Sequence, residues 1–389
     1  MATAEERVLL SELSDLIRVG EPLPFRVLDA QARLLLNEGQ VLLGEAQVEM
    51  LIERGAWAER PQVVAERGRR AAAAGGVSAV PSGQRRRTLF DAWEQCVWDL
   101  DALLRQAGRP AGVGAALAEF VQAQVALVDR DPDIALFMAV RQDDRRFALY
   151  ALTHGLHTAT VALLAARALG WSMAQQASLV GAALTMNVSI LELQAHMAEQ
   201  DTPPTQKQLE QIRSHPLRSL KLLRDSGVDD AAWLEAVLDH HEHRDGSGYP
   251  RGRRDAGELP LLLRAADVFM AKISPRALRA PLLPQAAARQ LFQQEAGGPL
   301  AAALIKSLGI YPPGDLVQLR SGEAAVVTHR GSTGAAPRVA AISDARGRPV
   351  AGTTPRDTSD PAWAITGTLV ERAAYTRVLP ERVYGLVEA

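Results

Sequence analysis

Apolar residues between residue 88 and about residue 310 recur at helical spacing. Phe90, Trp93, Val97, Leu100 and Leu104 fall on one face. Ser172-Met173-Ala174-Gln175 and Thr205-Gln206-Lys207-Gln208 each read as a capping box ahead of a periodic run. Leu209, Ile212, Leu220 and Leu223 continue the second run. Strand-like runs are scarce in this stretch, which predicts a bundle of about six to nine helices.

The ends of the chain differ. Residues 1–63 predict a small α+β module. Phe25 to Leu28 and Arg33 to Leu36 read as strands around an Asp29-Ala30-Gln31 turn, and Glu45 to Arg54 reads as an amphipathic helix. Residues 64–87 are rich in arginine, alanine and glycine without apolar periodicity, and predict a flexible, solvated linker. In residues 311–389, Leu316 to Leu319, Ala324 to Thr328 and Val339 to Ile342 are β-type runs between Gly- and Pro-rich turns, predicting a small β-rich C-terminal cap.

The chain has 389 residues, enough for roughly two or three domains. Its hydrophobic share of 47% and charged share of 23% are those of a globular protein. A net charge of −2 argues against a nucleic-acid partner, since phosphate-backbone binding favours a basic chain. The single cysteine, Cys96, excludes an intrachain disulfide and a thiolate metal site. No basic n-region opens the chain, and no apolar run approaches the ~18 residues of a membrane span, so a cytoplasmic location without a span is expected.

The chemistry concentrates in His240-His241-Glu242-His243-Arg244-Asp245-Gly246-Ser247-Gly248-Tyr249-Pro250. Adjacent imidazoles on a helix point about 100° apart, yet both reach one cavity from a helix end. Neutral imidazole suits Fe, Mn or Zn. Asp-Gly-Ser-Gly predicts a tight turn after them.

This string is similar to the HHE…DGxGYP hallmark of the HD-GYP domain family, and the resemblance extends over roughly residues 131–330. His157-Thr158, followed by Val161-Ala162, resembles the family's first metal histidine. His154, on the same face, competes for that register and reads as a core or surface histidine. Ser214-His215-Pro216 resembles the isolated histidine, 25 residues before His240. Asp267, in Arg264-Ala265-Ala266-Asp267-Val268, resembles the late ligand aspartate. The resemblance implies a mainly α fold: an HD-type helical bundle with the small N-terminal module and the C-terminal cap. It also implies two-ion hydrolysis of cyclic di-GMP, with His157, His215, His240, His241 and Asp267 as metal ligands. Two such ions share a carboxylate and activate a bridging water. Glu242 is expected to orient a histidine or, like Asp267, to serve as a base. The loop of Asp245, Gly246, Gly248, Tyr249 and Pro250 is expected to meet ligand or a GGDEF-type signalling partner. His196, His243 and His329 are expected to have no site role.

One segment departs from the family. Where the eponymous His-Asp pair belongs, the chain reads Thr185-Met186, and Ser189 stands at the following lysine position. A thioether cannot replace a carboxylate shared by hard cations. Three readings follow. The first is a degenerate member that binds cyclic di-GMP, a related nucleotide or a partner without efficient turnover. The second is a phosphodiesterase working from one ion on His215, His240 and His241. The third is an interaction module that holds no metal.

Overall fold

The structure is a computed structural model that describes residues 6–19, 21–42, 45–74, 88–109, 112–141, 147–331, 336–369 and 380–385. It divides into two compact units, Met1–Trp98 with Asp144–Tyr150, and Asp99–Asp143 with Ala151–Ala389.

The first unit holds β1 (Arg7–Leu9), β2 (Val27–Leu28), β3 (Leu34–Leu36), α1 (Glu45–Glu53), β4 (Trp57–Glu59) and α2 (Arg60–Ala74). Its antiparallel sheet has the order β1-β4-β2-β3. The expected turn is built by Asp29, whose Oδ1 accepts the N–H groups of Gln31 and Arg33, both at 2.9 Å. Residues 64–74 correct the linker expectation, because they continue α2. Arginines hold that helix: Arg67 pairs with Asp15, and Arg70 with Glu66. Residues 75–87 of the expected linker lie outside the described residues.

Helix α3 (Leu89–Leu104) belongs to the first unit up to Trp98 and to the second from Asp99. The second unit continues with α4 (Val113–Arg130), α5 (Pro132–Val140), α6 (Tyr150–Ala168), α7 (Met173–Thr185), α8 (Leu191–Glu199) and α9 (Gln206–Asp225). Then come α10 (Ala231–Asp239), α11 (Glu258–Ile273), α12 (Pro284–Gln294) and α13 (Pro299–Leu308). Residues 88–310 thus carry more helices than the periodicity predicts. Proline opens α5, α12 and α13, where its missing N–H costs no helix bond, and a 3-10 turn at Val188–Ile190 separates α7 from α8. Both expected capping boxes form, on α7 and α9.

The C-terminal strands are β5 (Leu316–Leu319), β6 (Ala324–His329), β7 (Arg338–Ser343), β8 (Pro349–Asp357) and β9 (Ile365–Thr368), followed by α14 (Pro380–Val383). The sheet has the order β8-β7-β6-β5-β9 and is antiparallel. It packs on the helices of the same unit. Arg330 pairs with Asp133, and a Cβ at Gly314 would lie 2.8 Å from the Phe137 carbonyl.

Two stretches, Phe147–Ala168 and Met173–Glu199, are long and apolar enough to cross a membrane. Their apolar windows are 78% and 67% buried within the protein, as in the core helices of a folded bundle.

Candidate metal centre

Three histidines converge where α9 meets the end of α10. One ring nitrogen from each of His215, His240 and His241 lies within 4.8 Å of the others. The local sequence sets each ring. Pro216 sits inside α9 and has no N–H to give the Ile212 carbonyl. The His215 ring fills that gap: its Nδ1–H donates to the Ile212 carbonyl at 2.5 Å. His240 caps the end of α10, where the last carbonyls lack helical donors, and its Nδ1–H donates to the Val237 carbonyl at 2.8 Å. A carbonyl only accepts, so both rings carry their proton on Nδ1 and leave Nε2 unprotonated when neutral.

They are neutral. Burial pushes the His215 pKa down to about 3, and the neighbouring His240 adds to the shift. Burial also lowers His240. Burial, then His240, hold His241 well below the usual histidine range. Two Nε2 lone pairs therefore face each other at 3.1 Å. That contact is repulsive unless a cation sits between them. Two ligands on one ion with bonds of about 2.0–2.1 Å stand roughly 2.9–3.4 Å apart, which brackets the observed separation. The donor set fits one first-row ion.

The Ile212 carbonyl gives a direct test of this positioning. Pro216→Ala returns a helical N–H to that carbonyl and competes with the His215 ring. We expect ion affinity to fall about 10–100-fold, as for loss of an orienting partner, while helix stability does not decrease. Titration calorimetry beside a thermal melt separates the two effects.

The loop that follows is pinned from below. Glu242 is fully buried, and its carboxylate accepts the N–H groups of Arg251, Gly252 and Arg253 at 2.6, 3.1 and 2.9 Å. Its oxygens thus serve the loop backbone. Asp239, also fully buried, holds the side chains of Arg251 and Arg253. Asp245 Oδ1 accepts the Ser247 N–H at 2.9 Å, building the expected turn with Gly246 at φ 79°. At Gly248 a Cβ would meet backbone atoms of residues 241–243 at 2.5–2.6 Å, so no larger residue fits. Tyr249 stacks on His241 with ring centroids 4.5 Å apart, and a cis bond joins it to Pro250.

The remaining site candidates divide. Asp267 on α11 accepts a hydrogen bond from His154 Nε2 at 2.7 Å. The structure thus brings His154 to Asp267, one helical turn before His157, the histidine that the sequence resemblance singles out. His157 is half-buried and outside the three-histidine group. Burial alone would raise the Asp267 carboxyl, but the His154 bond, with the histidine charges behind it, holds it below the usual range. His196 is exposed on α8, and neither it, His243 nor His329 joins the group.

The segment of Thr185, Met186 and Ser189 is packed. Thr185 is buried, and its hydroxyl donates to the Gly181 carbonyl at 2.7 Å and accepts the Trp233 indole N–H at 2.8 Å. Gly181 permits this approach, since a Cβ there would lie 2.5 Å from the indole. Met186 is fully buried at the end of α7. Ser189 donates to the His215 carbonyl at 3.1 Å and accepts from the Ser219 hydroxyl at 3.0 Å.

The HD domain family matches residues 138–298. The chain is similar to cyclic di-GMP phosphodiesterase PA4108 of Pseudomonas aeruginosa, 32% identical over 143 residues, which cover 35% of this chain and 34% of that protein. It is also similar to cyclic di-GMP phosphodiesterase PdeB of Borreliella burgdorferi, 28% identical over 105 residues, 27% of each chain. The chain thus spans about a third or less of the length of these curated relatives. Among solved structures, Bd1817, an HDG"Y"P protein from Bdellovibrio bacteriovorus, aligns with a TM-score of 0.45 at 14% identity, covering 77% of this chain and 97% of that one. The stretch that carries His215, His240 and His241 thus matches the HD domain family, and the chain is similar over part of its length to cyclic di-GMP phosphodiesterases.

Proposed function

We propose that this chain acts in cyclic di-GMP signalling as a degenerate HD-GYP protein, binding the cyclic dinucleotide or a partner domain without efficient hydrolysis. One observation carries the reading. Three neutral imidazoles converge as ligands for an ion, while the segment that would bridge a second ion offers a hydroxyl, a thioether and a serine already engaged in packing. An ion bound there supplies positive charge for a phosphate group. The chain's own residues supply the rest. Pro216 and the helix end orient the rings, and Glu242 and Asp239 hold the loop of Asp245 to Pro250 in a fixed shape. A preformed loop of this kind also suits a GGDEF-type domain as partner, because little ordering cost is left to binding.

The test is titration of cyclic di-GMP into the full chain with Mn or Fe, followed by chromatography of the nucleotides. The account expects saturable binding with no linear pGpG or GMP beyond the no-protein control. Absence of binding would remove the cyclic dinucleotide from the proposal.

A second reading has one observation in its favour. Asp267 is kept ionised beside the histidines, and an ionised carboxylate can serve as a general base. It describes a one-ion phosphodiesterase. Product formation abolished by His240→Ala would select it.

A further inference from the structure

We infer that the centre holds a single ion, and that His154 is the positioning residue that keeps Asp267 as an outer carboxylate rather than a ligand. The inference rests on the three-histidine reading above and says which residues set its ion count. A second ion would need anionic oxygen beside the first, and one oxygen of the Asp267 carboxylate is already engaged by another side chain. The carboxylate concerned is that of Asp267 on α11. Its Oδ1 is taken by His154 Nε2 at 2.7 Å, and it does not join the cluster of convergent donor atoms. The Thr185 to Ser189 segment is engaged as well. The Thr185 hydroxyl is bonded on both sides, by Gly181 and Trp233, and Met186 beside it is fully buried. Ser189 is bonded into α9 through His215 and Ser219.

The arrangement assigns distinct roles to two residues. Asp267 supplies negative charge near the imidazoles without binding the ion, and favours a cation there through space. His154 fixes the carboxylate in that place. Outer partners of metal sites act with about 10–100-fold effects on affinity, whereas ligands decide whether the ion binds at all.

The experiment is equilibrium dialysis of the full chain against Co²⁺ and Zn²⁺ with elemental analysis, together with the visible spectrum of the Co²⁺ form. Circular dichroism confirms folding of each variant. One ion per chain is expected for the natural sequence. Asp267→Asn, nearly isosteric, should still bind one ion with the same Co²⁺ spectrum and an affinity about 10–100-fold lower. His154→Ala should lower affinity similarly, His154→Gln should restore part of it through its amide donor, and the double variant should lose no more than either single change. Two ions in the natural chain would overturn the inference. So would loss of the ion or an altered Co²⁺ spectrum in Asp267→Asn, or additive losses in the double variant. A chain that binds no ion in any form overturns the three-histidine reading itself, and this inference with it.

Discussion

His240→Ala is expected to strip the chain of its ion. His240 is fully buried, bonded through Nδ1 to Val237, and its Nε2 stands 3.1 Å from that of His215. Alanine leaves two imidazoles with nothing between them. A set of three or four ligands that contributes on the order of 10 kcal/mol implies roughly 3 kcal/mol for each, so ion affinity should fall about 100–1000-fold. Titration calorimetry with Zn²⁺ measures this. The ion-free variant should also be somewhat less stable than the ion-free natural chain, because alanine leaves a cavity and takes the donor from the Val237 carbonyl, offset in part by relief of the facing lone pairs. An unchanged affinity would mean that the ion, if bound, sits elsewhere.

Acid should destabilise the ion-free protein well before its carboxylates titrate. In the folded chain His215, His240 and His241 all titrate below the ordinary histidine value of about 6.5, His215 at about 3. Between those limits the unfolded chain binds more protons than the folded one, so stability rises with pH and is lost as pH falls below about 6.5. Each such group contributes a slope of up to about 1.4 kcal/mol per pH unit. Asp267, also lowered, acts in the same direction but only below the ordinary carboxylate range, near pH 4 and under. Urea unfolding at pH 7.5, 6 and 5 should show a loss of about 2–4 kcal/mol across the upper window. His215→Gln should reduce the slope by roughly a third. A flat profile from pH 7.5 to 5 would contradict the burial of neutral rings.

Much of this was legible in the sequence because it is written in local chemistry. The two capping boxes, the Asp29 turn and the Asp245-Gly246 turn each depend on side chains within a few residues, and each forms. His215, His240 and His241 stood out through their unusual string and spacing, and the fold brings them together. Tertiary geometry decided the rest. His154 and His157 are one helical turn apart, and only the position of Asp267 on α11 separates them. Glu242 beside two histidines suggests an orienting role. That it instead receives three loop amides depends on a chain reversal that periodicity does not encode. Pro216 is a local signal of the same kind. A proline directly after a histidine inside a helix frees the carbonyl four residues back, and that carbonyl is the group that sets the His215 ring. The Arg- and Ala-rich run after residue 63 reads as linker by composition, yet alanine and arginine are strong helix formers and acidic partners lie in reach.

Anomalous scattering from crystals soaked in Mn²⁺ would locate the metal atoms themselves. One peak is expected, within bonding distance of the Nε2 atoms of His215 and His240 and of a His241 ring nitrogen, with Asp267 still on His154. A pair of peaks spanned by a carboxylate, or density at Asp267 in place of the His154 bond, would contradict the central claim that this chain is built around a single ion.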